Sequence, residues 1–597
     1  MMDLAQQAAE FLVQDEYDRA IALYEECIAA DPSVLFNYWM LGLSLLLQGR
    51  EEEAQACWFS GMVAGDSAEM EAGTRELIEI LEIEGIKCLE AGKFKQAERI
   101  YLQIIEQVPD RAIAYKNLGN AALNQGKLEE AIAYYQQGIE LEPNEAISYY
   151  HLAIAFHQLD KLEEAIGCYQ QFLAFNANDP IAWNNLGNAL QRQGKFAEAI
   201  DCYQKSLSLD GNNALTYNNL GTAFNSQGNL AAALACFEQG LILELNNAES
   251  NYNLATFYQE QRFYEKALAC CDRAIEIDPS YADAYWTRSL ILLRLGDFKR
   301  GFIEYEWRWR RKENKPRSLS KPIWDGANLA GKTILLQAEQ GMGDLIQFVR
   351  YVPLLVKLGG CVVVECHPPL VRLLKSVADI EKVVAIGEKL PEFDVYIPLL
   401  SLPRIFGTTL ERIPAEIPYL KPVESSSLKL ETPLDNCLKV GLVWAGNPEH
   451  LSDRQRSTSL HNFLPLFNLK NITFYSLQKG AKSAEISEID CPANLLDLNS
   501  KIHDFADTSA VISQLDLVIT VDTSVAHLAG ALGKPVWVLL CYNADWRWMT
   551  EREDSPWYPT MRLFRQNRSG DWQELLHRVE QVLAKLTVDI LRNKFVN

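Results

Sequence analysis

From Asp110 to Arg311, apolar and small residues return at helical spacing inside units that repeat every 34 residues. Tyr115-Lys116-Asn117-Leu118-Gly119-Asn120, Trp183-Asn184-Asn185-Leu186-Gly187-Asn188 and Tyr217-Asn218-Asn219-Leu220-Gly221-Thr222 restate one another, and Ala131, Ala165, Ala199 and Ala233 keep the same step. Each unit predicts two helices, the aromatic and Leu-Gly on the first and the small Ala on the second, so the pair packs closely and neighbouring units complete its core. Gly126, Gly194 and Gly228 mark the turns, and Pro109 and Pro143 close two units. The register extends back through Ala97, Gly92 and Gly85, and two earlier units are marked by Ala20 with Pro32 and Ala54 with Gly42. This predicts nine units over residues 1–311, with roughly nine extra residues around 69–77. In the last unit Arg288 and Gly301 replace the usual Leu and Ala, and Glu304-Tyr305-Glu306-Trp307-Arg308-Trp309-Arg310-Arg311 reads as a cap docked onto the next domain.

Beyond a polar linker at 312–331, with Lys315-Pro316 and Lys321-Pro322, the pattern changes to short apolar, β-branched runs separated by helical stretches. Thr333–Gln337, Cys361–Glu365 and Phe393–Ile397 predict strands of a first Rossmann-like lobe, residues 332–432. After a second polar stretch from Pro422 to Pro433, Leu438–Trp444, Ile472–Leu477, Leu517–Val521 and Val536–Leu540 predict those of a second lobe, residues 433–597. Two such lobes imply a cleft at the carboxyl ends of the strands, where open α/β sheets bind ligands.

The 34-residue period and its Trp/Tyr, Leu-Gly and Ala positions resemble the tetratricopeptide repeat over half the chain. Asn117, Asn185, Asn219 and Asn253 share one repeat position, interrupted by His151. In the family it resembles, that helix lines a concave groove, where an asparagine ladder can bond the N–H and C=O of an extended peptide. The other reading, that Asn merely tolerates a wet helix surface, stays open.

Charge is unevenly placed. Residues 1–315 hold 26 basic and 47 acidic side chains, a balance of −21, which leaves 30 against 32 for the remainder of a chain whose net charge is −23. The front half is expected to repel nucleic acid and anionic membranes, while the back half can accept an anionic small molecule. The amino terminus lacks the basic-then-apolar layout of a signal peptide and no apolar run predicts a transmembrane segment, so the expected location is cytoplasmic. Cys168, Cys202, Cys236 and Cys270 recur at the repeat period and read as reduced packing residues.

Candidate chemistry concentrates in the back half. Asp522-Thr523-Ser524 opens a helix between two strands, where unpaired N–H groups and the positive dipole end can seat a diphosphate. His527 lies one turn in on the same face, either as an imidazolium that neutralises a departing phosphate or as a core histidine. In the first lobe Gly341-Met342-Gly343-Asp344 follows a strand, the glycines letting the backbone turn sharply toward a ligand. The spacing is neither a dinucleotide fingerprint nor a Lys-Ser/Thr phosphate loop, which excludes an NAD enzyme and an NTPase. Asn447, Arg454, Arg456 and Gln478 lie on loops that should converge on the same cleft, with Arg456 favoured over Arg454 to point inward. Trp546, Trp548, Trp557 and Tyr558 either line an acceptor side or pack a crossover helix.

Gly-Met-Gly-Asp344, Asp522-Thr-Ser-Val-Ala-His527 and Gly533-Lys534-Pro535 together resemble glycosyltransferase family nine, the heptosyltransferase family, over roughly residues 330–570. Repeats joined to such lobes are similar in arrangement to the protein O-linked N-acetylglucosamine transferases. The resemblance implies a tetratricopeptide superhelix followed by a GT-B-like pair of Rossmann-like lobes. It also implies transfer of a sugar from a nucleotide-diphosphate donor to an acceptor, a protein or peptide recruited along the repeat groove. Asp344 resembles the family's base, its alternative role being to cap the helix that follows. Gly341, Gly343, Asn447, Arg456, Gln478, Asp522, Thr523 and Ser524 would hold the donor, with Asp522 a cap or sugar-hydroxyl acceptor because its charge is wrong for phosphate. Ser524 departs from the Gly frequent in that family, and the full basic motif for heptose-diphosphate donors is not evident. No Asp-x-Asp pair or clustered His and carboxylate ligands stand in the sequence, so the expected transfer needs no cofactor and no metal. The alternative is a GT-B scaffold that has lost catalysis and binds proteins through its repeats.

Overall fold

The computed structural model describes residues 2–596, apart from 63–66, 313–316, 318, 415, 424–427, 432–436, 451–452 and 491. Lys315 and Pro316 of the linker, Pro433 of the second polar stretch and Ser452 of the basic loop lie outside the described residues. The chain divides into two compact units, residues 1–246 and 247–597, so the last two helix pairs of the array belong with the sheets.

In the first unit, antiparallel pairs run from Met2–Val13 with Tyr17–Ala30 to Ala214–Ser226 with Leu230–Leu243. One steric relation recurs within the pairs. The glycine of the first helix faces the aromatic ring sixteen residues on in the second, Gly119 with Tyr135, Gly187 with Tyr203 and Gly221 with Phe237. A Cβ at Gly119 or Gly187 would lie 2.6 Å from the ring, so only a bare backbone lets the aromatic side chain fill the space between the helices. Tyr135 and Tyr203 then donate to Asn120 and Asn188 at 2.8 and 2.7 Å, which gives each buried ring a partner for its hydroxyl. The extra residues near 69–77 form no loop of their own. They belong to a single long helix, Ser67–Glu90, that opens the third pair.

The second unit begins with Ala248–Glu260 and Tyr264–Ile277, followed by Ala282–Leu295 and Phe298–Glu304. Arg288, which breaks the repeat consensus, bonds Glu304 through Nε and Nη2 at 2.8 and 2.9 Å and so ties the last two helices together. The stretch Tyr305–Arg310 is a tighter 3₁₀ turn rather than a continued helix.

Ten strands follow. β1 (Thr333–Gln337), β2 (Cys361–Cys366), β3 (Lys382–Ala385) and β4 (Val395–Pro398) form a parallel sheet in the order β3-β2-β1-β4. β5 (Leu438–Val443), β6 (Ile472–Ser476), β7 (Leu495–Asp497), β8 (Leu517–Val521), β9 (Val536–Leu540) and β10 (Met561–Arg565) form a second, in the order β10-β9-β8-β5-β6-β7. Every pairing is parallel, which explains the near-continuous apolar runs: β8 and β9 are buried along their whole lengths. β3, β7 and β10, two of them only a few residues long, were not read from the pattern. Strand order reverses between β1 and β4 in one sheet and between β5 and β8 in the other. Those switch points open crevices beyond the strand ends, which puts the loops after β1, β5 and β8 where ligands bind.

The ring-facing glycines give a test with opposite signs in one unit. Gly187→Ala should destabilise by about 1–3 kcal/mol through overpacking against Tyr203. Gly167→Ala, on an exposed helix face with nothing within 4 Å, should stabilise by about 0.5–1 kcal/mol. Urea unfolding followed by circular dichroism measures both.

Candidate active site

Two helix amino termini, one from each lobe, meet. After β1 the chain reaches the helix Met342–Phe348, whose N-cap Gly341 donates its N–H to Asp344 Oδ2 at 2.9 Å. After β8 the helix Ser524–Ala531 starts at Thr523, whose hydroxyl lies 3.0 Å from that of Thr520 and makes no cap bond to the helix. The two helices touch at Gly343, where an added Cβ would sit 2.9 Å from the His527 ring and 3.5 Å from the Ser524 Cα. Neither Gly341 nor Gly343 has a left-handed φ, which corrects their assigned role in bending the loop. What Gly343 supplies is the missing side chain, without which the lobes could not approach this closely. Asp522, Thr523 and Ser524 remain half-buried at the crevice.

The charge between the lobes centres on Arg547, buried at 7% exposure in the loop after β9. Its Nη2 pairs with Asp344 of the first lobe, its Nη1 donates to Asp545 at 2.9 Å, and its Nε donates to Gln347 at 2.7 Å. The guanidinium also lies 4.4 Å from the centre of the Trp546 ring. Burial raises the Asp344 carboxyl above the usual carboxylate range and Arg547 opposes that shift. Burial, and then the negative charge of Asp545, raise Asp522 as well. Asp344 therefore caps its helix, one of the two roles open for it in the sequence, and also pairs with a cation across the cleft.

His527 is the core histidine. Its Nδ1 lies 3.0 Å from the Tyr558 hydroxyl, its ring stacks on Trp548 at 5.3 Å, and burial followed by Arg547 holds its pKa down to about 3. At neutral pH the ring is uncharged, so the imidazolium proposed for a departing phosphate is not present here. Arg547 contributes to this, because a second cation beside a buried guanidinium would be repelled. Arg350 closes the network from the first lobe, donating to the Trp557 carbonyl at 3.0 Å and the Tyr419 hydroxyl at 3.1 Å.

Gln478 is a support. Its Oε1 accepts from the N–H groups of Trp444 and Ala445 at 3.0 and 2.9 Å, and its Nε2 donates to the carbonyls of Ala445 and Lys479 at 3.0 and 2.9 Å. Both donors and both lone pairs are engaged, which leaves none for a donor substrate and corrects its assignment. The loop it holds leads to Asn447, exposed, whose Oδ1 accepts from Glu449 N–H at 3.2 Å. Arg456 is half-buried against Gly446, while Arg454 is exposed. Trp546, Trp548, Trp557 and Tyr558 are all buried and pack the core.

The repeat asparagines also have local partners. Asn117 is buried and donates to Tyr101 at 3.0 Å; Asn185 donates to Tyr150 at 3.1 Å and Asn219 to Asn184 at 3.0 Å. Each bond runs to the preceding repeat, so these three side chains staple neighbouring units. Asn253, half-buried, sits at the same position in the second unit.

Tetratricopeptide repeat models match residues 6–67, 112–145, 134–167, 155–194, 179–241, 218–281 and 252–312. A model of glycosyltransferase family 9 (heptosyltransferase) matches residues 471–567. The chain joins tetratricopeptide repeats to a family 9 glycosyltransferase segment. That segment holds Asp522, Thr523, Ser524, His527, Asp545 and Arg547; Asp344 lies outside it. Protein FlbA of Caulobacter vibrioides is 26% identical over 329 residues, 50% of this chain and 54% of its own length, so the chain spans about half of that relative. Among solved structures, MamA is 26% identical over 27% of this chain and 94% of its own, with a TM-score of 0.26. YrrB, described as a TPR protein with an unusual peptide-binding site, is 25% identical over 32% of this chain and 98% of its own, with a TM-score of 0.28. Among the described residues no helix is long and apolar enough to cross a membrane, and no group of three or more His, Cys, Asp or Glu could hold a metal ion.

Sequence reasoning missed Arg547, Asp545 and Arg350. The available signal was Asp545-Trp546-Arg547-Trp548, charges set between aromatics after an apolar strand, of which only the aromatics were singled out.

Arg547→Met should destabilise the second unit by about 3–5 kcal/mol, since it leaves buried carboxylates without their cation. Combining it with Asp344→Asn should be less than additive by about 0.5–3 kcal/mol in urea unfolding. His527 gives a pH signature. Its folded pKa of about 3 lies below the ordinary 6.5, so the unfolded chain takes up a proton that the folded ring refuses. Stability is complete above 6.5 and declines as the pH falls from there toward 3. In His527→Gln that part of the decline should vanish, as thermal unfolding across the window would show.

Proposed function

We propose that the chain is a nucleotide-sugar-dependent glycosyltransferase whose repeats recruit a protein acceptor. The observation that carries the reading is the meeting of two helix amino termini at the switch points of two parallel sheets, with the Asp344–Arg547 pair spanning the lobes. In the proposed reaction an acceptor hydroxyl oxygen attacks the anomeric carbon, its proton passes to Asp344, and the bond to the diphosphate breaks with its electron pair on the phosphate oxygen. The N–H groups and hydroxyls of Thr523 and Ser524, with Arg456 and the helix dipole, would hold the diphosphate without a metal ion. Asp522, raised toward its neutral form, would hydrogen-bond a sugar hydroxyl. Half-buried Asn185 and Asn219 are proposed peptide contacts along the repeats of the first unit, and half-buried Asn253 one on the repeats of the second.

One observation favours the second reading, an inactive scaffold: Asp344 accepts from both Arg547 and the Gly341 N–H, and both contacts reduce its basicity. Incubation with a panel of nucleotide sugars and a cell lysate, followed by glycopeptide mass spectrometry, separates the two. In an enzyme Asp344→Asn should lower transfer by about 10²–10⁴-fold while diphosphate affinity stays within a factor of a few. The parent rate should fall as the pH drops through the Asp344 pKa, at a pH above the usual carboxylate range because burial raises it. Absence of transfer with every donor would leave the scaffold.

A further inference from the structure

We propose that the last helical hairpin of the array, Ala282–Leu295 with Phe298–Glu304, is a positioning element of the transfer site. Arg294 sets the loop that carries Arg547, and Arg308, just past the hairpin, sets the loop that carries Asp344. The inference rests on the reading of Asp344 and Arg547 as site residues.

The two arginines reach opposite lobes. Arg294, 7% exposed, donates through Nη1 to Asn543 Oδ1 at 2.7 Å and through Nη2 to the Ala544 carbonyl at 2.5 Å, one residue before Asp545. Arg308, 1% exposed, donates to Glu339 at 2.8 and 3.1 Å and to Ser401 Oγ at 2.9 Å. Glu339 accepts from the Leu400 N–H at 2.8 Å and stands two residues before the Gly341 cap. Tyr305 adds its ring, 4.9 Å from the Arg308 guanidinium, and Phe298 stacks on Trp557 at 5.5 Å.

The turn of the hairpin touches both lobes as well. Gly296 ends the first helix at φ 92°, and a Cβ there would lie 2.9 Å from Leu410 of the first lobe and 3.0 Å from Met549 of the second. A left-handed backbone wedged between two lobes leaves glycine as the residue that fits. Arg294 is also chemically telling, because its bonds to the loop go to a neutral carbonyl and a neutral amide. A buried cation bonded in this way is a poor device for stability alone, since an apolar side chain of similar volume would pack without desolvation. It is a good device for fixing a main-chain carbonyl at one place, next to the carboxylate that orients Arg547. The loops carrying the Asp344–Arg547 pair, which crosses the cleft, are thus held on one side by the hairpin and on the other by the turn that follows it directly, and the end of the array acts as a splint for both lobes.

Hydrogen exchange of the full chain, read by mass spectrometry, tests this without requiring a known donor. In Arg294→Met, which removes both bonds to the loop, amides of residues 541–549 should exchange at least about tenfold faster while β8 and β9 keep their protection, and Asn543→Ala, which removes one of the two bonds from its other end, should accelerate the same amides to a lesser degree. The double variant should be no faster than Arg294→Met alone. Arg308→Met should act in the same way on residues 338–345 and leave 541–549 alone. Asn543→Ala keeps Arg294 in place and decides the matter should Arg294→Met fail to fold. With a donor that is turned over, Arg294→Met should lower kcat at least about tenfold at nearly constant donor KM, and Asn543→Ala should lower it to a lesser degree. Unchanged exchange at 541–549 in both variants, or equal acceleration throughout both sheets, overturns the proposal. A parent protein that neither transfers sugar nor binds UDP, GDP or ADP would defeat the functional reading, and the exchange result would still decide whether the hairpin positions these loops.

Discussion

A guanidinium taken out of water is costly unless its N–H groups are met, and Arg547 is met by two carboxylates, one of them in the other lobe. Much of the back half can be understood from that requirement. Asp344 must sit at the mouth of β1, which it does by capping its own helix. Asp545 accepts from Nη1 and Gln347 presents its oxygen to Nε, so each edge of the guanidinium has an acceptor. The steric partner of this ion pair is Gly343, whose bare backbone lets the first-lobe helix press against His527 and Ser524. With a cation already buried there, the imidazole stays neutral and serves as a packed ring between Trp548 and Tyr558.

The same division between steric and polar devices runs through the repeats. Glycine on one helix makes room for an aromatic ring on its partner, and the ring's hydroxyl finds an asparagine. Asn117, Asn185 and Asn219 join successive units by donating backward to the preceding repeat. In the last hairpin and the turn after it this economy changes: Arg288, Arg294 and Arg308 stand where the packing could have been apolar. Arg288 ties the two helices to each other, and the other two reach loops beside the cleft. Departure from the repeat consensus at Arg288 therefore marks a change of task, from stacking a further unit to docking on a sheet domain.

The periodicity of the array, the two runs of parallel strands and the loops after β1 and β8 were legible because each is a local property. Helix pairing follows from a 34-residue spacing of Leu-Gly, Ala and aromatic residues, and buried parallel strands show as unbroken apolar runs bounded by capping residues. Asp344, Thr523 and His527 were found for the same reason, since each stands at a fixed offset from a strand end. Their roles were a different matter. Whether His527 carries a proton depends on how deeply it is buried and which cations face it. Whether Gln478 is available depends on four backbone groups of loops separated by some thirty residues of chain. Arg547 lies some two hundred positions from Asp344, and no pattern along the chain joins them. Sequence by itself determined the elements, their order and the capping residues at their ends, because these answer to short-range spacing and burial period. Only the tertiary structure decided which charges meet, which are neutralised and which side chains are already engaged, because those answer to distance and dielectric between segments that folding alone brings together.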